Sequence, residues 1–208
     1  MSNGEFQSYF EQRAKRFSAF YSSEPVARML GRGPLFDRLQ FAVDVAEAVS
    51  ATRVLDVGCG SGPLFAPLAA QGIAVTGIDP AEAMVALARE QASVLAGLVE
   101  VQQRGWEQID EVDGYDVAVA LGVFDYVGEP AELVRRMARA APHVIGSFPS
   151  PGVRTGLRKI RYGAKGVGVH GYARSDFGRL ASDADSEVVQ IAALGRAGHA
   201  VHFRRRAS

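Results

Sequence analysis

Two carboxylates and a run of glycines are the residues best suited to do chemistry in this chain. They stand in Val54-Leu55-Asp56-Val57-Gly58-Cys59-Gly60-Ser61-Gly62, with Asp79 lying 21 residues beyond Gly58. Glycines directly after an apolar strand let the backbone approach a ligand at the strand's carboxyl end. An acid at the end of the next strand can accept both hydroxyls of a ribose. Two ligand chemistries compete for this loop. The pyrophosphate of a dinucleotide wants G-x-G-x-x-G, but the third glycine position is Pro63, which offers no N–H at a helix N-terminus. Asp56 would also repel a pyrophosphate, whereas it suits an ammonium group. A nucleoside joined to an amino acid fits both features.

A second group of candidates lies further along. Asp125, in Leu121-Gly122-Val123-Phe124-Asp125-Tyr126, can act as a base or hold a polar group of a substrate; the alternative is a loop-orienting acid with Phe124 in the core. Residues 151–174 carry Arg154, Arg158, Lys159, Arg161, Lys165 and Arg174 and no acid. Such a stretch attracts an anion, or else is a solvated surface loop. His170, near Tyr172, is the candidate base within it. His143 follows Pro142 and reads as structural. His199 and His202 are three apart on an expected strand, so they point to opposite faces and form no metal pair. Cys59 is the sole cysteine, which excludes an internal disulfide and a multi-cysteine metal site. No metal site is expected. Tyr9, Phe10, Phe17 and Tyr21 punctuate a charged amphipathic segment, fit for a lid over the site or for a stripe that docks a helix on the core.

These residues need a scaffold, and the hydrophobic pattern supplies one. Strands are expected at Arg53–Val57, Ile73–Ile78, Leu98–Val101, Tyr115–Leu121 and His143–Phe148. Helices are expected over residues 5–21, 35–49, 63–69, 81–95 and 129–140. Alternating strands and helices with short connections define a parallel sheet covered on both faces. The tail reads as a helix at Ser175–Ala184 with Ser175 as N-cap, then an antiparallel hairpin, Glu187–Leu194 with His199–Arg205, added at the sheet edge. The expected fold is a Rossmann-like, seven-stranded, mostly parallel sheet. It forms one compact unit, with residues 1–50 as a helical cap and 51–208 as the ligand-binding domain. A chain of 208 residues is long enough to bury a core without staples. The 23 basic and 23 acidic residues cancel, which argues against a nucleic-acid partner. No apolar stretch reaches the length of a membrane span, and the N-terminus lacks an apolar signal core. A cytoplasmic protein, monomer or homodimer, is expected.

At this point a family resemblance is plain. VLDVGCGSG, GIDPAEAMVALARE and YDVAVALGVFDYV resemble three motifs of the class I S-adenosylmethionine-dependent methyltransferases. The resemblance is sharpest over residues 53–148 and implies S-adenosyl-L-methionine as cofactor. It implies that Asp56 orients the methionine ammonium, that Gly58, Cys59 and Gly60 underlie the cofactor, and that Asp79 holds the ribose. Pro80 and Met84 would pack on the adenine, and Leu121 and Gly122 would contact the methionine part. Many members carry Gly-Asp after the third strand, the Asp accepting the adenine N6 amine. Here Gly105 stands at that Asp, and the Gly105 and Trp106 backbone with the Trp106 ring is expected to hold adenine instead.

Methyl transfer has no universal catalytic residue. The enzyme holds the acceptor in line with a sulfonium methyl in a water-poor pocket, and a base serves only acceptors that must lose a proton. The segment after the fourth strand lacks the Pro-Pro motif of members that methylate base or amide nitrogens. SFPSP…LRKIRYGAKG…H is similar to the C-terminal part of magnesium-protoporphyrin methyltransferases, whose acceptor is a carboxylate. The expectation is O-methylation of a small, anionic molecule. Asp125 and His170 are the candidate catalytic groups, and Tyr9, Phe17, Tyr21, Tyr126, Arg158, Arg161 and Tyr172 the candidate acceptor contacts. The rival readings are a non-catalytic cofactor-binding scaffold or partner subunit, and a protein or RNA methyltransferase.

Overall fold

The structure, a computed structural model, describes residues 33–109, 114–152 and 168–207. Seven strands form one sheet: β1 (Arg53–Val57), β2 (Ala74–Asp79), β3 (Val99–Gln103), β4 (Val117–Leu121), β5 (His143–Pro149), β6 (Ser186–Ala193) and β7 (Gly198–Arg205). Their order is β3-β2-β1-β4-β5-β7-β6. β7 runs antiparallel to both its neighbours, and the other pairs are parallel. Five helices are described: α1 (Gly33–Ala48), α2 (Phe65–Ala69), α3 (Glu82–Ala92), α4 (Pro130–Ala140) and α5 (Asp176–Asp183).

The central strands are buried on both faces, so they read as unbroken apolar runs. Their period of two sorts the core into two layers. Leu55, Val57, Ala118 and Ala120 meet Leu133, Val134 and Met137 of α4 and Phe177, Leu180 and Ala181 of α5. Val54, Val117 and Val119 meet α1 and α2 on the opposite face. α1 presents Leu39, Ala42, Val43 and Ala46, the i, i+3, i+4, i+7 stripe of a helix packed on a sheet. α1, the described part of the expected cap, thus shares the sheet's core.

Local chemistry moves several boundaries from where hydrophobicity puts them. α3 stops at Ala92, because the Ser93 hydroxyl donates to the Glu90 carbonyl (2.8 Å) and the chain turns through Ala96 and Gly97, both at positive φ. β3 runs on to Gln103, which pairs with Asp79 at the end of β2. α2 starts at Phe65, so Pro63 lies in the turn before the helix rather than at its first position. Ser175 occupies the N-cap of α5, but its hydroxyl makes no cap bond. The neighbouring Asp176 carboxylate accepts the Ala173 N–H (2.8 Å), which fixes the turn that leads into the helix. The segment 5–21 lies outside the described residues.

This strand order has one functional consequence. β1 pairs with β2 on one side and β4 on the other, so the chain reverses its direction of winding between β1 and β4. Loops leaving the carboxyl ends of these two strands diverge there and leave a crevice.

Candidate active site

A cleft opens at that crevice. The end of β1 and the loop after it contribute Val57 and Gly58, the end of β2 contributes Asp79, Pro80 and Ala81, and the turn after β3 contributes Arg104 and Trp106. The end of β4 adds Leu121, Gly122 and Val123. Gly58 has φ +67°, and a Cβ there would lie 2.5 Å from Val123 Cγ2. Both the backbone conformation and the close approach of the next loop therefore demand glycine. The Gly58 and Cys59 N–H groups donate to the Ile78 carbonyl (2.8 and 3.0 Å), which staples the loop to β2.

Asp79 is fixed by its own strand end. Its Oδ2 accepts the Gly60 N–H (3.0 Å) and its Oδ1 the Ala81 N–H (2.9 Å). Each carboxylate oxygen has a further lone pair to offer, the geometry needed to take two neighbouring hydroxyls. Asp56 lies behind the cleft wall, 4% exposed. Burial pushes its carboxyl up to about 7, the negative charge of Asp79 adds to this, and the Arg38 guanidinium opposes it. Arg38 reaches over from α1: a Cβ on Gly122 would lie 3.0 Å from Arg38 Nη1. Gly122 itself has φ +83°, and its N–H donates to the buried Ser147 hydroxyl on β5 (2.8 Å). A carboxyl and a guanidinium thus stand behind the wall where β1 and β4 end, and they are of opposite charge, as are the ammonium and carboxylate of an amino acid.

The other expected cofactor residues are distributed as follows. Met84 is buried and packs against Ala81, under the cleft floor. The Cys59 side chain turns into the core with Phe65, and burial holds its thiol well above the ordinary range. Gly105 sits between the lining residues Arg104 and Trp106, its N–H donating to Gln108 Oε1 (3.0 Å). Arg136 of α4 donates to the Glu107 carbonyl (2.7 Å) and so anchors this turn to the sheet's helical layer.

The candidate acceptor wall is built by one aromatic cluster. Phe148, at the end of β5, stacks on Phe124 (4.2 Å between centroids) and meets the edges of Tyr172 (5.2 Å) and Phe203 (5.9 Å). Phe124 is therefore a core residue. The Tyr172 hydroxyl donates to the Phe124 carbonyl (3.1 Å), and the His170 N–H donates to the Asp125 carbonyl (2.8 Å). The segments after β4 and before α5 are thus sewn together, which brings Asp125 and His170 side by side. Tyr172 is 8% exposed with its hydroxyl spent on the backbone, so it serves here as a brace. Burial and then the Asp125 charge push its phenol up. Tyr126 is half-buried one residue beyond Asp125. Tyr9, Phe17, Tyr21, Arg158 and Arg161 lie outside the described residues.

Sequence reasoning passed over Arg38, Arg104, Val123 and Ser147. Arg38 reads as an ordinary charge on the polar face of a helix, so no local pattern singles it out. Ser147 did carry a signal: a hydroxyl inside the doubly buried strand His143–Pro149 requires a partner. His143 Nδ1 and His202 Nε2 meet at 3.0 Å on the layer opposite His199, whose ring edge faces Phe177. Among the described residues no group of acids, histidines and cysteine has the makings of a metal site, and no helix is long and apolar enough to cross a membrane.

The fold and cleft together define an α/β protein that binds a nucleoside at the carboxyl ends of β1, β2 and β4. Residues 7–191 match the family described as "Methyltransferase domain", and the chain belongs to that family, the class I S-adenosylmethionine-dependent methyltransferases. Among curated relatives, the ubiquinone biosynthesis O-methyltransferase of Pseudomonas aeruginosa is 35% identical over 99 residues, 47% of this chain. The matched stretch is 43% of that protein's length. In structure, the chain is similar to the magnesium protoporphyrin IX methyltransferase of Synechocystis PCC 6803 (TM-score 0.81, 22% identity, 99% of this chain and 100% of that one). A Burkholderia thailandensis 1,6-didemethyltoxoflavin-N1-methyltransferase has a TM-score of 0.73 at 16% identity, covering 98% of this chain and 88% of that one. At these identities the structural likenesses establish the fold.

Proposed function

We propose that the chain methylates an oxygen of a small, anionic molecule, with S-adenosylmethionine held along the cleft. The residues present fit that cofactor. Asp79 offers two fixed acceptor oxygens to the ribose. Gly58 and Gly122 let the Val123 and Arg38 side chains pack directly on the backbone at this end, and Asp56 with Arg38 lies behind it as opposite charges for the methionine end. When bound, the cofactor supplies an electrophilic methyl group.

The chain's own task is then to hold the acceptor in line with that methyl and to take up the hydroxyl proton where the acceptor has one. The observation that carries this reading is the pairing of Asp125 with the segment bearing His170, sewn backbone to backbone two residues beyond the cleft-lining Val123. In our reading His170 accepts the proton and Asp125 orients it or holds a polar group of the acceptor. A carboxylate acceptor would need no base, and the two residues would then only position it. The basic stretch 154–165 draws in the anion. The O-methyltransferase relatives support oxygen as the acceptor atom.

The test is turnover of a panel of hydroxylated aromatics and carboxylic acids with a methyl-labelled donor. Methylated product from an acidic acceptor, with kcat reduced in His170→Gln and Asp125→Asn, supports the proposal. Cofactor binding with no turnover across the panel favours the scaffold reading.

A further inference from the structure

The sulfur of S-adenosylmethionine joins its nucleoside to its amino-acid part. With the ribose on Asp79 and the amino-acid end beside Gly122, the sulfur falls among the lining residues between them. Those residues offer few side chains. Gly58 and Gly122 have none, Val57 is buried in the core, and Leu121 packs into the layer of α1 and α2. Val123 is different. It lines the cleft, is half-buried, and sets its Cγ2 2.5 Å from the place of a Cβ on Gly58. The isopropyl group therefore crosses from the loop after β4 onto the backbone of the loop after β1. The chain around it is pinned on both sides. Before it, the Gly122 N–H is bound to Ser147 Oγ (2.8 Å). After it, the Tyr126 N–H donates to the Val123 carbonyl (2.9 Å), which closes a turn whose Phe124 is anchored in the core.

We propose that Val123 is the specificity-determining residue for the group transferred, its isopropyl side chain closing the cleft beside the sulfur and limiting the sulfur substituent to a methyl. The inference rests on the proposed placing of the cofactor along the cleft and of the acceptor at Asp125. In-line transfer needs the substituent to point from the sulfur towards the acceptor. Asp125 belongs to the turn that Val123 opens, so the substituent faces the wall that Val123 makes. A methyl fits against that wall, whereas a longer group meets a side chain backed by the Gly58 backbone, with no room to yield. Discrimination of this kind comes from a clash with the larger ligand rather than from added contacts with the smaller one. Glycine at 58 and valine at 123 are then one device, since a side chain at 58 would displace the wall.

The experiment is calorimetric titration with S-adenosylmethionine, its S-allyl analogue and S-adenosylhomocysteine, which lacks the transferable group. The wild type should prefer methyl to allyl by about tenfold or more, the penalty for carbons that a pocket cannot house. Val123→Ala frees the room of the γ carbons, so the preference should collapse towards unity while affinity for S-adenosylhomocysteine stays nearly unchanged. Val123→Thr, of nearly the same size, should keep the preference. Were Val123 only a core contact, Val123→Ala would weaken all three ligands alike and leave the ratio of methyl to allyl unchanged, which overturns the proposal. Loss of the preference in Leu121→Ala with Val123→Ala unaffected, or a wild type that binds the allyl compound as tightly as the methyl one, would also overturn it. Failure of the wild type to bind any of the three overturns the cofactor reading itself.

Discussion

Asp56 and Asp79 are two acids with different tasks, set by their surroundings. Asp79 is tied to two N–H groups, whereas Asp56 is buried beside another carboxylate and titrates near 7. Its raised pKa means that the free folded chain takes up a proton at Asp56 that the unfolded chain, with an ordinary carboxyl, has already lost. That contribution to stability is full below the ordinary carboxylate pKa and is lost as pH rises through about 7. An ammonium bound beside Asp56 favours the ionised form and so releases that proton. The expected outcome is cofactor affinity that rises between pH 6 and 8 and then levels off, with Asp56→Asn binding more weakly and nearly independently of pH. Calorimetry across that range, repeated in buffers of different ionisation enthalpy, measures both the affinity and the proton release.

At the scale of elements, strand ends do the positioning. Ser147 fixes the Gly122 N–H from the neighbouring strand, and Gly122 is where the cleft turns. Ser147→Ala leaves that N–H without its partner, so a loss of about 1–3 kcal/mol in stability is expected, with a several-fold weaker cofactor affinity; thermal melts and calorimetry report the two effects. At the other end of the sheet, β5 and β7 pair a half-buried His143 with a buried His202. Burial, then His143 and Arg204, push His202 down to about 4, and burial and Arg204 also lower His143. A folded pKa below the unfolded one means that stability is present above about 6.5 and is lost as pH falls towards 4. His202→Gln should flatten the dependence of stability on pH in that window by up to about 1.4 kcal/mol per unit, as read from denaturant titrations at each pH.

These elements differ in how openly the sequence announces them. β1, β4 and β5 are short apolar runs bounded by turns, and hydrophobicity alone delimits them to within a residue or two. The ends of α3 and β3 depend on Ser93, Ala96 and a pairing with Asp79, which no local pattern reveals. In the cleft, Gly58, Asp79 and Gly122 announce themselves because backbone conformation and a lone acid leave a mark on sequence. Arg38 does not, since it acts by folding its side chain from a helix across onto Gly122.

At the scale of the whole molecule, net charge is zero while residues 154–165 hold five cations and no acid. If this stretch captures an anionic acceptor, its effect is on encounter rather than chemistry. Arg158→Gln with Arg161→Gln should raise the acceptor KM more than it lowers kcat and leave cofactor affinity nearly unchanged. The wild-type kcat/KM should fall as salt rises, because screening shortens the reach of these charges to about 8 Å at physiological ionic strength. A smaller fall in the double variant supports capture, and an equal fall in both proteins makes the stretch an ordinary solvated surface.

The central claim is that one cleft, between the ends of β1 and β4, holds an amino-acid-linked nucleoside. Calorimetric titration of the wild type and of Asp79→Asn with S-adenosylmethionine, S-adenosylhomocysteine and NAD tests it most directly. The account predicts saturable binding of both sulfur compounds to the wild type, no comparable binding of NAD, and at least tenfold weaker binding in a folded Asp79→Asn, which loses the charge-assisted bonds to the ribose. Tight binding of NAD with no response to either sulfur compound, or unchanged affinity in the folded variant, would contradict it.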